Sequence, residues 1–347
     1  MKKLLAGFIS LLLIGAGLLA AVASSTPAVA RDRERAEIFA VLPEGATGPE
    51  GLTVGPHGDV YVTTFGFNSQ GEVAGPGQLF VFDRHGRLLR QVGVQGSSSH
   101  LLGVAFHPTT HALLVIDFGA GKVLTVNSHT GVASDFMTGT GGGLNALTFD
   151  EDGNVYVSDS GQGIIWKTGP DGGVGTAWVT SPLLLPTGVP PFGANGLQFN
   201  KAGDSLFVAN TATDQIIRIP VTHGTPGTPE VFVNSINGAD GLVIDRHDNI
   251  WVAANQADEI VVIDPSGKVI AKLGDFDGLS RNGTPRGLLF PASPDFSRDG
   301  EFLYVTNLAL DLRLFGLAQS VDSQWTAQTK HYTISKIRAR IPGADHD

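Results

Sequence analysis

This 347-residue sequence predicts an all-β protein, a six-bladed β-propeller of four-stranded antiparallel blades. Three observations point there. Glycine is abundant, at 46 residues, and short apolar runs are bounded by turn residues. No long stretch after the N-terminus carries helical apolar spacing. One motif also recurs six times, as PEGLTV, LLGVAF, LNALTF, ANGLQF, ADGLVI and PRGLLF. Its lead residues are Glu50, Leu102, Asn145, Asn195, Asp240 and Arg286, at intervals of 43 to 52 residues. That is the length of a propeller blade.

The elements follow in order. The opening MKKLLAGFISLLLIGAGLLAAVASSTPAVA places Lys2 and Lys3 before an apolar run from Leu4 and ends in the small-residue site Ala28-Val29-Ala30. It reads as a secretory signal over residues 1–30, leaving 31–347 as a single propeller domain. The expected location is periplasmic or secreted, with no stable membrane insertion after cleavage. Next, AEIFAVLP (36–43) is similar to the outer strands PEVFVNS and KVIAKLG. The sixth repeat offers strands near 286–290, 301–306 and 331–337 but lacks a fourth. The N-terminal strand is therefore expected to complete the last blade and close the ring, leaving no exposed edge. Within a repeat, GLVI, IWVAA, EIVVID and KVI are separated by the hairpin signals DRHDN and DPSGK.

Loop length divides the two faces. Connections between first and second strands, and between third and fourth, are tight: PHGD, DEDGN, DRHG, DPSG. Those on the other face are long, and the longest, 307–328, is rich in Leu with Phe315 and Trp325. Long loops on a rigid scaffold are where sites are built. The first strands begin on this face, so the six lead residues should cluster around the axis there.

Composition narrows the chemistry. A formal net charge of -10 argues against binding nucleic acid or an anionic membrane through bulk electrostatics. The absence of cysteine excludes disulfides, thiolate nucleophiles and Cys-ligated zinc. Four lead positions carry oxygen donors: Glu50, Asn145, Asn195 and Asp240. Two carboxylates and two amide carbonyls on one axis suit Ca²⁺, a hard cation that takes six to eight oxygens. Asn and Asp also favour strand starts for local hydrogen-bonding reasons, so the pattern alone fits both a metal ring and plain turn chemistry. A second ring is expected where second strands end: Asp117, Asp159, Asn210, Asn255 and Asn307. These read as loop-capping hydrogen-bonders, with Asn255 also a candidate for substrate binding. Arg286 could hold a substrate carboxylate or phosphoryl oxygen, and His100 could shuttle a proton.

The runs ANGLQFNKAGDSLFVANT and ADGLVIDRHDNIWVAAN, with the strands that follow them, resemble matching blades of the regucalcin/gluconolactonase (senescence marker protein) family. That family sits in a wider group of calcium-dependent six-bladed propellers with diisopropyl fluorophosphatase and paraoxonase. The resemblance implies a catalytic calcium held by Glu50 in GPEGL, Asn145 in GLNAL, Asn195 in GANGL and Asp240 in GADGL. It implies hydrolysis of a lactone or related ester of a small-molecule substrate, with Asp240 as general base or nucleophile. Two departures stand out. EGLTV replaces the Gly-Pro-x-Trp-like run usual after the first Glu, and Gly143 stands where regucalcin-like sugar-lactone binders carry an Arg. The Leu-rich segment 308–317 instead suggests an apolar cover. The same regular repeats also resemble NHL-type propellers, and the alternative expectation is a non-catalytic extracytoplasmic propeller that binds a protein or small ligand.

Overall fold

The computed structural model describes residues 33–317 and 322–340; the expected signal segment lies outside the described residues. Turn chemistry sets the blades. In blade three, Asp150 accepts from the Asn154 backbone (2.8 Å), the Asn154 amide (2.8 Å) and Tyr156 Oη (2.9 Å). In blade five, Asp245 does the same for the Asn249 backbone (3.0 Å), the Asn249 amide (2.9 Å) and Trp251 Nε1 (3.0 Å). One carboxylate thus closes the hairpin and anchors the first large ring of the next strand.

Among the described residues the strands form six antiparallel blades, of which blades two and three join in one eight-stranded sheet and blade four carries an extra short strand. Blade one is built from Pro49–Val54, Val60–Thr64, Gln78–Phe82 and Leu88–Gly93. The first strands of the next five blades are Leu101–Phe106, Leu144–Phe149, Ala194–Phe199, Ala239–Ile244 and Pro291–Phe296. These six inner strands neighbour one another in chain order, and the last lies against the first. In the sixth blade, Phe302–Asn307 and Thr333–Arg338 follow, and Glu37–Val41 pairs antiparallel with Thr333–Arg338. The first and last strands of the described residues therefore share one sheet. Blades two and three also touch edge to edge through a short parallel pairing, Met137 with Gly173 and Thr138 with Val174.

One irregularity recurs in every blade and fixes the axis. The first and second strands change register just after the first strand begins, between Pro49 and Leu52, Leu101 and Val104, Leu144 and Leu147, Ala194 and Leu197, Ala239 and Leu242, and Pro291 and Pro294. Such bulges re-aim a side chain. The residue after each first partner is Glu50, Leu102, Asn145, Asn195, Asp240 and, in the sixth blade, Ala292. The expectation that Arg286 is the sixth lead residue is thereby corrected. Arg286 lies in the outer strand Pro285–Gly287, which pairs with Phe276–Leu279. Its PRGLL run copies the Gly-Leu signature, whereas the true first strand is disguised by Pro291 and Pro294. An innermost strand has a free edge facing the axis, and proline is tolerated there.

Hydroxyl groups tie the blades together. Thr63 Oγ1 donates to the Leu102 carbonyl, Ser160 Oγ to Ala194 (2.8 Å), Thr211 Oγ1 to Ala239 (2.7 Å) and Thr306 Oγ1 to Glu50 (2.7 Å). Each joins the end of one second strand to the mouth of the next blade's first strand. Asp295 Oδ2 adds a tie across the closing junction by accepting from Val54 N at 2.8 Å. Apolar side chains fill the space between blades; Phe80, Tyr156 and Trp251 are among the largest fully buried.

Thr306 tests this stitching. Its hydroxyl also accepts from Ser293 N at 2.9 Å, so Thr306→Val strands a donor and an acceptor while keeping the shape. The expected loss is about 1–3 kcal/mol in chemical unfolding; no change would mean that the latches carry no stability.

Candidate functional site

The bulges bring four oxygen-bearing side chains to one end of the axis. Glu50, Asn145, Asn195 and Asp240 are each about 4–5% exposed. Glu50, Asn145 and Asn195, joined by Asn255, line a cavity of about 30 Å³, room for an ion or one or two waters. Asp240 reaches the same group through its hydrogen bonds: Asn255 Nδ2 donates to its Oδ2 at 2.9 Å, and Asn195 and the Gly241 backbone also donate to the carboxylate. The second amide hydrogen of Asn195 is held by Thr211 Oγ1 at 3.0 Å. A Cβ on Gly238 would collide with Asn255 Oδ1, and Gly238 has φ +66°, so glycine is required beside this amide.

The electrostatics are those of crowded, dry carboxylates. Burial raises the proton affinity of Glu50 well above the carboxylate range, and the nearby charge of Asp240 raises it further. Burial pushes Asp240 up to about 7, against its three hydrogen bonds. Glu50 Oε2, Asp240 Oδ1 and Asn255 Oδ1 are buried with no hydrogen-bond partner. Orphaned buried acceptors of this kind are costly. A dication fits them: it would neutralise both carboxylates and satisfy oxygens that no protein donor reaches. Among the described residues, no three His, Cys, Asp or Glu side chains group as a metal site; here two carboxylates are completed by amides.

Of the remaining sequence candidates, only Asn255 joins the site. His100 Nε2 lies 3.4 Å from Glu72 Oε1, too poorly directed for a hydrogen bond, and its ring stacks on Phe67 with centroids 5.1 Å apart. Arg286 is exposed and donates to the Asp277 carbonyl at 2.6 Å. The second ring divides by register. Asp117, Asp159, Asn210 and Asn307 pair with the first residue of their blade's first strand, and they cap loops as expected. Asp159, for example, accepts from Gly161 N (2.9 Å), Gln162 N (2.8 Å) and Trp166 Nε1 (3.0 Å). In blade five that register position belongs to Ala254. Asn255 stands one residue further on, and a one-residue step turns a side chain to the other face. Its true counterparts include Phe65 and Leu308, which also line the cavity.

The apolar wall is what sequence reasoning mostly missed. Phe65, Pro190, Phe192 and Phe290 line the cavity with Leu308 and Leu310; only the two leucines were expected, as part of the cover. Register arithmetic from the repeats finds Phe65, but the others sit on loops that no repeat aligns. Beyond Leu310, the short 3₁₀ turn Leu312–Phe315 is held by Asp311, which accepts from Arg313 Nη2 at 2.7 Å. Phe290 is fixed from behind, its N–H donating to Asp258 Oδ1 at 2.7 Å. Asp258 in turn meets Asp322 of the covering segment. Burial, then the charge of Asp322, pushes Asp258 up to about 8, and burial raises Asp322 to about 6.

Comparison with known proteins agrees with this architecture. Residues 191–274 match the SMP-30/Gluconolactonase/LRE-like region, a stretch that contains Asn195, Asp240 and Asn255. The fold is shared with the calcium-binding protein regucalcin from Agrobacterium tumefaciens (17% identity, 89% of this chain and 96% of that one, TM-score 0.61). It is shared also with a gluconolactonase from Xanthomonas campestris (13%, 88% and 95%, 0.59) and a luciferin-regenerating enzyme (14%, 88% and 95%, 0.62). A search of curated sequences gives no match. The gluconolactonase/regucalcin type of propeller expected from the sequence is thus found in both the matched region and the structural neighbours.

The Asp258–Asp322 pair makes a pH prediction. Both folded proton affinities are raised, so between about pH 4 and 8 the folded protein binds more protons than the unfolded chain. The stability contributed by the protonated pair is full below about pH 4 and is lost as pH rises through 6 to 8. Asp322→Asn, neutral at every pH and able to donate to Asp258, should flatten this decline and raise the melting temperature at pH 8. Parallel melting curves for the two proteins would refute the pairing.

Proposed function

We propose that this protein is an exported, calcium-dependent hydrolase of a lactone or related ester, acting at the axial mouth of the propeller. The observation that carries the reading is the pair of buried carboxylates with orphaned oxygens, Glu50 Oε2 and Asp240 Oδ1, set among amides on one axis. The matched gluconolactonase-like region and the calcium-binding regucalcin neighbour support it; export rests on the sequence of residues 1–30.

Glu50, Asn145, Asn195 and Asp240 would hold Ca²⁺. When bound, the ion would supply positive charge to offset the negative charge that develops on the acyl oxygen. The protein's own residues do the rest. Asn255 orients the Asp240 carboxylate by donating to its Oδ2. The apolar wall of Phe65, Phe192 and Phe290 excludes bulk water, so that the polar groups act in a low dielectric. Asp240 either takes a proton from the attacking water or attacks the carbonyl carbon itself. Either route breaks one acyl C–O bond, consumes one water, and returns a proton to the leaving alcohol oxygen. After turnover in ¹⁸O-water, a heavy Asp240 peptide identifies direct attack, with water opening the acyl-aspartyl intermediate at the Asp240 carbonyl.

Two variants test the proposal. Asp240→Asn should lower calcium-dependent turnover of lactones and aryl esters by about 100-fold or more. A folded, calcium-binding protein inert across the substrate panel would instead define a binding propeller. Glu50→Gln should move two quantities in opposite directions. It relieves a buried charge, so the calcium-free protein should melt higher at pH 8, while calcium affinity by calorimetry should fall by about tenfold or more. Unchanged affinity would remove Glu50 from the ion's shell.

A further inference from the structure

Resting on the hydrolase reading, the lining of the site narrows the substrate. Every polar side chain at the cavity belongs to the oxygen set or is Asn255, and the other six lining residues are apolar. No cation lines it: Arg286 is exposed on an outer hairpin, and His100 stacks on Phe67 beside Glu72. Apart from an ion held at the oxygen ring, a carboxylate or phosphate on the rest of the substrate would therefore meet no positive charge. Ring hydroxyls would fare little better, because Phe65, Pro190, Phe192, Phe290, Leu308 and Leu310 offer them no side-chain hydrogen bond.

The cavity, at about 30 Å³, is too small for a whole lactone or ester, so most of the molecule must lie further out. The apolar wall continues in that direction. Phe315, 37% exposed, packs on Phe67 at 4.7 Å and stacks on Phe65 at 6.4 Å between centroids. Leu314 beside it is 37% exposed, and Val189, next to the lining Pro190, is 60% exposed.

We propose that the substrate is a neutral lactone or ester bearing a hydrocarbon chain or aryl group. Its carbonyl lies at the oxygen ring and its apolar part along the wall from Phe65 to Phe315. The reaction is the same one-water hydrolysis of an acyl C–O bond, and the product is a hydroxy acid, or an acid and an alcohol.

The experiment uses the full mature protein with saturating calcium. Turnover of δ-valerolactone, δ-octalactone and δ-dodecalactone is compared with that of glucono-δ-lactone. The expected kcat/KM rises by about twofold or more for each added methylene, and glucono-δ-lactone is the poorest substrate. Phe315→Ser, a half-exposed position, should reduce the ratio of long-chain to short-chain kcat/KM by severalfold. A preference for glucono-δ-lactone, or a flat chain-length series, overturns this inference and leaves the hydrolase standing. Failure to turn over any lactone or aryl ester removes both.

Discussion

Two carboxylates that cannot both shed their protons without help set the terms for this molecule. Glu50 and Asp240 come from the first and fifth blades, are almost wholly buried, and each keeps one oxygen without a partner. Burial raises the proton affinity of both, and the charge of Asp240 raises that of Glu50 further. A protein under selection for stability alone would replace such a pair with apolar side chains. Its retention on the axis, with Asn145 and Asn195 completing the set, makes functional sense when a dication is part of the folded state.

The scaffold must hold these groups against their repulsion. It does so with one repeated device, the register change at the start of every first strand, which turns six successive side chains toward the axis. Four hydroxyl latches then lock the mouth of one blade to the end of its neighbour's second strand, and the Asp295 tie joins the far ends of the first strands of blades one and six. The sheet shared by the first and last described strands adds the last constraint. Sites on closed, stitched scaffolds of this sort are positioned by strands, and only their walls are left to loops.

What could be read from the sequence follows the same division. Glu50, Asn145, Asn195 and Asp240 were legible because a blade repeat imposes a register, and a register can be counted. Arg286 was misplaced because Pro291 and Pro294 break the apolar pattern of the true sixth strand while PRGLL imitates it. Asn255 was grouped with the loop-capping residues because alignment by residue type hid a single-residue step. His100 reflects the weakness of any lone histidine as a signal. Phe192 and Phe290 could not have been counted at all: they arrive from loops of unequal length, and only the folded chain shows that they meet. Asp258 and Asp322 likewise come from segments far apart in sequence, so their pairing left no trace in either.

Locating an ion between Glu50 and Asp240 is the direct test. A crystal of the mature protein grown with calcium should show, in an anomalous difference map, one strong peak at the axial mouth. Glu50, Asn145, Asn195 and Asp240 should lie about 2.3–2.6 Å from it, with waters or substrate filling the remaining positions. A well-ordered map with water alone at that place, under saturating calcium, would contradict the account.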